Sequence, residues 1–425
     1  MADDDTICAC ATAWGHAAVA VVRVSGPEAR AHAARVVGAL PPDRRASHRR
    51  FVDDDGCFDD GVVTCFSGPR SYTGEDVVEL SGHGNPMLVE RLLRALGCRL
   101  ARPGEFTRRA FLNGRLDLTR AEAVIATIEA TSRRGLDAAR SGLDGRVAAE
   151  VAEVRDALTD LAAELEAILD YPGEDLLFTD DVGLSSRLAV QAARAVSAAQ
   201  SVKGGRVAVE GARVVLAGPV NAGKSSLFNA LLGRDRAIVS AIPGTTRDAV
   251  EASWQLAEVR IMLVDTAGER ATDDVIEALG VARGAAEQAG ADLVLRCVPP
   301  GAPEPVVTAG CLIVHTMADL DAAEGLAVSA RTGAGLIELR RAILAAVVGE
   351  APGGAAVVLT SARQAEAFAR VAVHLDESAE ALAEAGPAVA VERVYAALEA
   401  LSDVDGAVVR ESVLDRLFAR FCIGK

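Results

Sequence analysis

Hydrophobic positions change their spacing three times along the chain. Up to residue 118, short β-branched runs are bounded by Gly, Pro and Ser. This pattern predicts strands at Val19–Val24 and Asp76–Leu80. Met87–Leu96 carries apolar residues at helical spacing. From about Thr119, Ala, Leu, Glu and Arg dominate with helical periodicity to about Ile168, and Tyr171-Pro172-Gly173 stops that run. A further helix is predicted over roughly 181–202, ending at Lys203-Gly204-Gly205. From Arg213 to about 348 apolar strands alternate with helices, as in α/β folds. Residues 296–312 are short and Pro-rich for such a block, so one strand–helix unit is expected to be trimmed. Glu350-Ala351-Pro352-Gly353-Gly354 reads as a linker, and the last 65 residues return to the helical texture.

The pattern predicts a multidomain α/β plus all-α protein. An α/β domain covers 1–118. A helical domain is split into 119–211 and 351–425, and an α/β domain at 212–350 is inserted in it.

Composition narrows the class. Of 425 residues, 50% are hydrophobic and 24% charged, which fits a globular rather than a disordered chain. The net charge of -16 argues against coating nucleic acid or an anionic membrane along the whole length. No 18-residue apolar run exists, so no membrane span is expected. The acidic start Met-Ala-Asp-Asp-Asp is no secretory signal. The eight Cys form no CxxC pair and the six His no HExxH, so a reduced cytoplasm is the simple expectation. There are 41 Arg but only three Lys: Lys203, Lys224 and Lys425. A lysine that survives such a bias is a candidate for a task a guanidinium cannot do.

The strongest chemical signal is Gly218-Pro219-Val220-Asn221-Ala222-Gly223-Lys224-Ser225, a complete GxxxxGK[ST]. It follows the apolar strand Val214–Ala217 and precedes the helix 226–232, the context a phosphate cradle requires. The backbone from Asn221 through Ala222 and Gly223 to Ser226 can wrap phosphates. Lys224 can reach the β/γ-phosphates, and the Ser225 hydroxyl can ligate Mg²⁺. Pro243-Gly244-Thr245-Thr246-Arg247-Asp248 reads as a loop whose Thr hydroxyl completes the Mg²⁺ shell. The strand Ile261–Val264 ends in Asp265-Thr266-Ala267-Gly268. There Asp265 can hold a Mg²⁺-bound water, and the Gly268 amide can sense the γ-phosphate. Asp319, at the end of the strand Cys311–His315, can accept both guanine ring donors, and Ser329-Ala330 matches a loop that contacts the guanine carbonyl. Asn-Lys-x-Asp is the usual guanine signature. Here Thr316 and Met317 replace its Asn and Lys, so guanine preference with weaker affinity is expected. The order and spacing point to a Ras-like P-loop GTPase domain rather than a generic ATPase.

The whole chain resembles the MnmE (TrmE) family of tRNA-modifying GTPases. The resemblance rests on Asp5-Thr6-Ile7 with Val22-Arg23-Val24-Ser25-Gly26-Pro27, on Ser71 to Gly84, and on Arg102-Pro103-Gly104-Glu105-Phe106-Thr107 with Ala110 to Leu118. It also rests on the G motifs and on Phe421-Cys422-Ile423-Gly424-Lys425. It implies an N-terminal folate-binding domain that dimerises, and a helical domain interrupted by the GTPase domain. It further implies an MnmG-like FAD-containing partner in a heterotetramer, with tRNA as substrate. The implied reaction modifies carbon 5 of the wobble uridine, using a tetrahydrofolate one-carbon donor. GTP hydrolysis is implied to need K⁺, coordinated by Asn221, Ser240, Ile242 and Thr245, with Ser225 and Thr246 on Mg²⁺. Glu277 matches the carboxylate that positions the attacking water, and Cys422 a cysteine needed for modification. Arg23, Glu79, Arg115 and Lys425 match folate contacts.

Several positions depart from the family pattern: His16, Gly82, Asn85 and Glu269. The pairs Arg44-Arg45, Arg49-Arg50, Arg133-Arg134 and Arg340-Arg341 lack aromatic interleaving and read as solvated faces. Two competing functions share the G motifs. One is a ribosome-assembly GTPase of the Era or Der type, which lacks the N-terminal and Cys-Ile-Gly-Lys motifs. The other is a scaffold that binds nucleotide without turnover.

Overall fold

A computed structural model describes residues 5–171, 181–233, 250–257, 259–265, 288, 290–306, 310–321, 324–348, 357–406 and 411–424. These divide into two compact units, one joining residues 1–125 to 402–425 and the other spanning 126–401.

The first unit is built on a six-stranded sheet. Its strands are β1 (Ile7–Cys10), β2 (Ala17–Ser25), β3 (Ser47–Asp53), β4 (Gly56–Phe66), β5 (Val77–Gly84) and β6 (Arg99–Leu100), in the order β3-β4-β5-β2-β1-β6. All neighbours are antiparallel except β1 and β6. Helices α1 (Ala29–Val37) and α2 (Pro86–Leu96) cover it. Helix α1 buries Ala29, Ala33, Val36 and Val37, and α2 buries Val89, Leu92 and Leu96, each set on one helical face. These meet Val22, Val24, Phe51, Val63, Val78 and Leu80 in the core.

The Asn85 departure has a local reason. Its side chain accepts a hydrogen bond from the Met87 amide at 2.9 Å, capping α2 just before Pro86. Helices α3 (Glu105–Leu112) and α4 (Leu118–Glu129) follow. The chain's last helix returns to this unit, where Leu414, Phe418 and Phe421 pack with Leu118 and Ala121.

The second unit contains α5 (Arg133–Leu143), α6 (Arg146–Asp170) and α7 (Asp181–Glu210). Helix α7 does not stop at Lys203-Gly204-Gly205; it runs on to Glu210. A Cβ on Gly205 would lie 2.0 Å from the Leu359 carbonyl oxygen, so the glycine admits a crossing segment instead of ending the helix. Lys203, expected in a turn, donates from α7 to the Ala346 carbonyl at 3.0 Å. Beyond Gly211, at φ +90°, the helix passes directly into β7 (Ala212–Ala217).

Strand β7 is central in a sheet ordered β11-β10-β7-β9-β8, with β8 (Val250–Leu256), β9 (Val259–Asp265), β10 (Leu293–Val298) and β11 (Cys311–His315). Only β8 is antiparallel. Helices α8 (Lys224–Leu232) and α9 (Leu336–Val348) share its core through Leu227, Phe228, Leu231, Leu339, Ile343 and Val347. Residues 299–306, between the parallel strands β10 and β11, contain no helix, in keeping with the trimmed unit expected there. Helices α10 (Ala362–Glu384) and α11 (Pro387–Asp405) complete the unit, with α10 packed along α7; α12 (Glu411–Phe418) is the last helix of the first unit.

Arg340 departs from the solvated face expected of it. It is half-buried, donates to the Leu231 carbonyl at 3.0 Å and lies 5.7 Å from the Trp254 ring centre. The predicted linker at 350–354 lies outside the described residues.

Candidate nucleotide and folate sites

The phosphate loop is shaped by backbone that few residues adopt. Gly218 has φ +141°, and a Cβ there would come within 2.5 Å of the Cys297 carbonyl oxygen. Asn221, at φ +65°, and Gly223, at φ +80°, curl the loop into α8, which starts at Lys224. Lys224 is buried, and its ammonium donates to the carbonyls of Gly218 and Pro219, each at 2.8 Å. Its charge is therefore held against the loop, at the N-terminus of α8.

Asp265 ends β9 beside this loop. Ser225 hydrogen-bonds its carboxylate, yet burial pushes its pKa up against that bond and the Lys224 charge. Its Oδ1 is buried with no hydrogen-bond partner. A buried unpaired carboxylate oxygen is costly, and a hard divalent cation with oxygen ligands would answer it. Ser225 and Asp265 therefore fit Mg²⁺.

Beside the phosphate loop, the segment expected to read guanine borders a cavity of about 200 Å³ lined by Gly223, Ser226, Leu227, Thr316, Met317, Asp319, Val328, Ala330 and Arg331. Thr316 supplies a tether that its sequence neighbours do not reveal. Its buried hydroxyl donates to the Ala222 carbonyl at 2.7 Å, joining the guanine-side loop to the phosphate loop. Met317, at φ +57°, leans on Gly223. The Asp319 carboxylate is not free: Ser329 Oγ donates to Oδ1 at 2.6 Å, and Arg331 Nε to Oδ2 at 2.9 Å. The Ser329 bond, with Arg331, holds the carboxyl below the usual range. Both guanine donors would have to share or displace these partners. Ser240, Ile242, Thr245, Thr246, Gly268, Glu269 and Glu277 lie outside the described residues.

In the first unit, Arg23 on β2 and Glu79 on β5 are direct cross-strand partners. Glu79 Oε1 accepts from Arg23 Nε at 3.0 Å and Nη2 at 2.8 Å. The guanidinium lies 5.1 Å from the Tyr72 ring centre and 5.7 Å from that of Phe106. Its Nη1 donates to the Gly424 carbonyl at 3.5 Å, which brings the chain's last residues to the site. Arg115 Nε donates to the Ser71 carbonyl at 3.1 Å, one residue from Tyr72. Cys422 is exposed, and its carbonyl accepts from the Gly104 amide. Lys425 lies outside the described residues.

Sequence reasoning passed over the residues that hold this site together. Thr107 bonds the Tyr72 hydroxyl at 2.8 Å. Beneath lies a buried Arg109 that donates to Asp5 and Glu105 and pairs with Glu75, while Arg99 bridges Asp5 and Glu105. The Arg99 and Arg109 guanidiniums hold the Asp5 carboxyl down at about 2, against its partial burial. Of this network, only the i,i+4 pair Glu105–Arg109 carries a sequence signal.

The family model described as "GTP-binding protein TrmE N-terminus" matches residues 6–115, and "MnmE helical domain" matches 118–422. The tRNA modification GTPase MnmE of Myxococcus xanthus is 44% identical over 441 residues, covering 99% of each chain. That of Methylorubrum populi is 45% identical over 439 residues, covering 99% of this chain and 98% of the relative. A solved structure, the G domain of the T. maritima FeoB iron transporter, is 26% identical, covering 32% of this chain and 98% of that one. The TM-score of that match is 0.26. No helix among the described residues is long and apolar enough to cross a membrane. With a phosphate loop, a cavity beside it and relatives of one kind matched along almost their whole length, the chain is a GTPase and belongs to the MnmE family of tRNA modification GTPases.

Proposed function

We propose that this GTPase is K⁺-stimulated and works as a homodimer in the cytoplasm. With an MnmG-like FAD partner, in a heterotetramer, it modifies carbon 5 of the wobble uridine of certain tRNAs. The modification adds a carboxymethylaminomethyl-type group whose one-carbon unit comes from a tetrahydrofolate derivative. The observation that supports it best is one chain carrying two preorganised sites: the phosphate loop facing the unpaired Asp265 oxygen, and the Arg23–Glu79 pair under Tyr72 and Phe106.

At the first site, Asn221 to Ser226 bind the GTP phosphates and Lys224 exchanges its loop carbonyls for phosphate oxygens. Ser225 and Thr246 hold Mg²⁺, while Asn221, Ser240, Ile242 and Thr245 hold K⁺. The two cations supply positive charge opposite the charge that develops on the phosphate. Glu277 orients the attacking water, Gly268 senses the γ-phosphate, and Asp319, Ser329 and Ala330 read guanine. At the second site, Arg23, Arg115 and Lys425 suit the glutamyl carboxylates of folate, and Glu79 suits its pterin donor edge. Cys422 stands beside that site for the modification step.

Glu277→Ala and Lys224→Ala should each lower GTP turnover by about 100-fold or more, with folate binding retained. Phosphate-release assays in K⁺ and Na⁺ read this, and a parental rate in Glu277→Ala removes the role given to that residue. Nucleoside analysis of tRNA from cells lacking the protein tests the whole reading: retained wobble-uridine modification, with no paralogue present, overturns it.

A further inference from the structure

On the N-terminal sheet, three adjacent strands bring two carboxylates and two imidazoles together. One ligand atom each from Asp59, Asp60 and His83 lies within 4.8 Å of the others. Asp59 Oδ1 meets His83 Nδ1 at 2.7 Å, and Asp59 Oδ2 accepts the His83 amide at 3.0 Å. Asp60 Oδ2 meets His48 Nε2 at 2.6 Å.

The oxygens of these two consecutive carboxylates converge beside the His83 ring. In a regular strand Asp59 and Asp60 would point to opposite faces. Strand β4 bulges just before the pair: Cys57 lies opposite Val52 and Asp59 opposite Phe51, leaving Phe58 as an extra residue, while Asp59 and Asp60 face Phe51 and Arg50 in register. Such bulges re-aim side chains. Two glycines make the seat. A Cβ on Gly61 would lie 2.0 Å from the Ser81 carbonyl oxygen, so β4 and β5 approach closely. A Cβ on Gly82 would lie 2.5 Å from Asp59 Oδ2 and 3.0 Å from the Phe51 ring. The Gly82 departure thus has a use in this chain: it leaves room for the Asp59 carboxylate. That carboxylate is only 7% exposed, whereas His83 and Asp60 are open to solvent at 67% and 51%.

We propose that Asp59, Asp60 and His83 form a divalent transition-metal site of the Zn²⁺ class, with His48 orienting Asp60 from outside. Mixed imidazole and carboxylate donors suit that class better than Mg²⁺ or Ca²⁺. A tetrahedral shell with bonds of about 2.0–2.1 Å sets ligand atoms about 3.4 Å apart, within reach of small side-chain rotations here. Water can fill the fourth position on the open side. The His48–Asp60 bond is the kind of outer contact that orients a ligating carboxylate.

The test titrates the full chain with Zn²⁺ against a chromophoric chelator, with Mg²⁺ in excess to occupy the nucleotide site. One tightly bound equivalent is expected. His83→Ala and Asp60→Asn should weaken it at least tenfold. Gly82→Ala, which pushes on Asp59, and His48→Ala should weaken it by about tenfold, the usual effect of an outer-shell change. Cys57→Ser, which removes the exposed thiol of the same strand, should retain it. GTP turnover and circular dichroism of these variants should match the parent. Absence of a tight equivalent overturns the proposal. So does parental affinity in both His83→Ala and Asp60→Asn, or loss of binding in Cys57→Ser with retention in His83→Ala.

Discussion

Replacing Thr316 by Val removes one hydroxyl and keeps the side chain's shape. The hydroxyl joins two loops 94 residues apart through its 2.7 Å bond to the Ala222 carbonyl. Thr316 is 5% exposed and Ala222 fully buried, so no water can replace the donor without opening the site. A buried carbonyl left without its partner costs about 1–3 kcal/mol, equivalent to about 5- to 150-fold in an equilibrium constant. The freed carbonyl belongs to the phosphate loop, so much of that cost should fall on nucleotide binding. Equilibrium titration with a fluorescent guanine nucleotide should show weaker binding in Thr316→Val and nearly parental binding in Thr316→Ser. Thermal unfolding of the same proteins separates loss of fold from loss of affinity. Affinity within twofold of the parent in Thr316→Val, whatever its unfolding temperature, would refute the idea that this tether orders the phosphate loop.

Two further outcomes concern stability. Gly205→Ala places a methyl 2.0 Å from the Leu359 carbonyl oxygen, and forcing α7 away should cost about 1–3 kcal/mol or more, read by calorimetry as a lowered unfolding temperature. A helix that simply tolerated the change would gain slightly from Ala instead. Asp5 titrates at about 2 in the folded chain and near 3.8 when unfolded, so its contribution is present above pH 4 and lost as pH falls from there toward 2. The side chain is 42% exposed, so after solvent screening about 1 kcal/mol is expected. Urea unfolding of Asp5→Asn should show that loss at pH 7 and a flatter pH dependence between 4 and 2.

The phosphate loop was legible because its chemistry is local: spacing, a preceding strand and a following helix lie within about twenty residues. For the same reason β2 and β5 of the first sheet and β7, β9 and β11 of the second were legible, whereas the polar-rich β3 and β4 were not. The Lys203-Gly204-Gly205 segment misled because glycine serves both as a helix stop and as room for a close crossing, and the crossing residue, Leu359, is remote in sequence. Thr316 stood out as a departure, yet its partner Ala222 belongs to another loop. Asp5 was legible only as part of a motif, because nothing near it in sequence announces Arg99 and Arg109. Asn85-Pro86 was different: an Asn before Pro at a helix start is a local signal, and it explains that departure without any tertiary contact.

The return of the last residues to the first sheet has a consequence for biosynthesis. Gly424 lies so close to β1 that a Cβ would fall 2.3 Å from the Cys10 carbonyl oxygen, and its own carbonyl accepts from Arg23. The unit made first can therefore be finished only after residues 126–401 have been translated, a wait of about 15–60 s at typical ribosome speeds. During that interval the nascent N-terminal sheet exists without α12 and the terminal strand-side contacts, leaving Leu118 and Ala121 uncovered. A chain cut short before α12 would carry an intact GTPase sheet attached to an unfinished N-terminal unit, and the exposed apolar face would mark it for chaperones or proteases before it could compete with the complete protein.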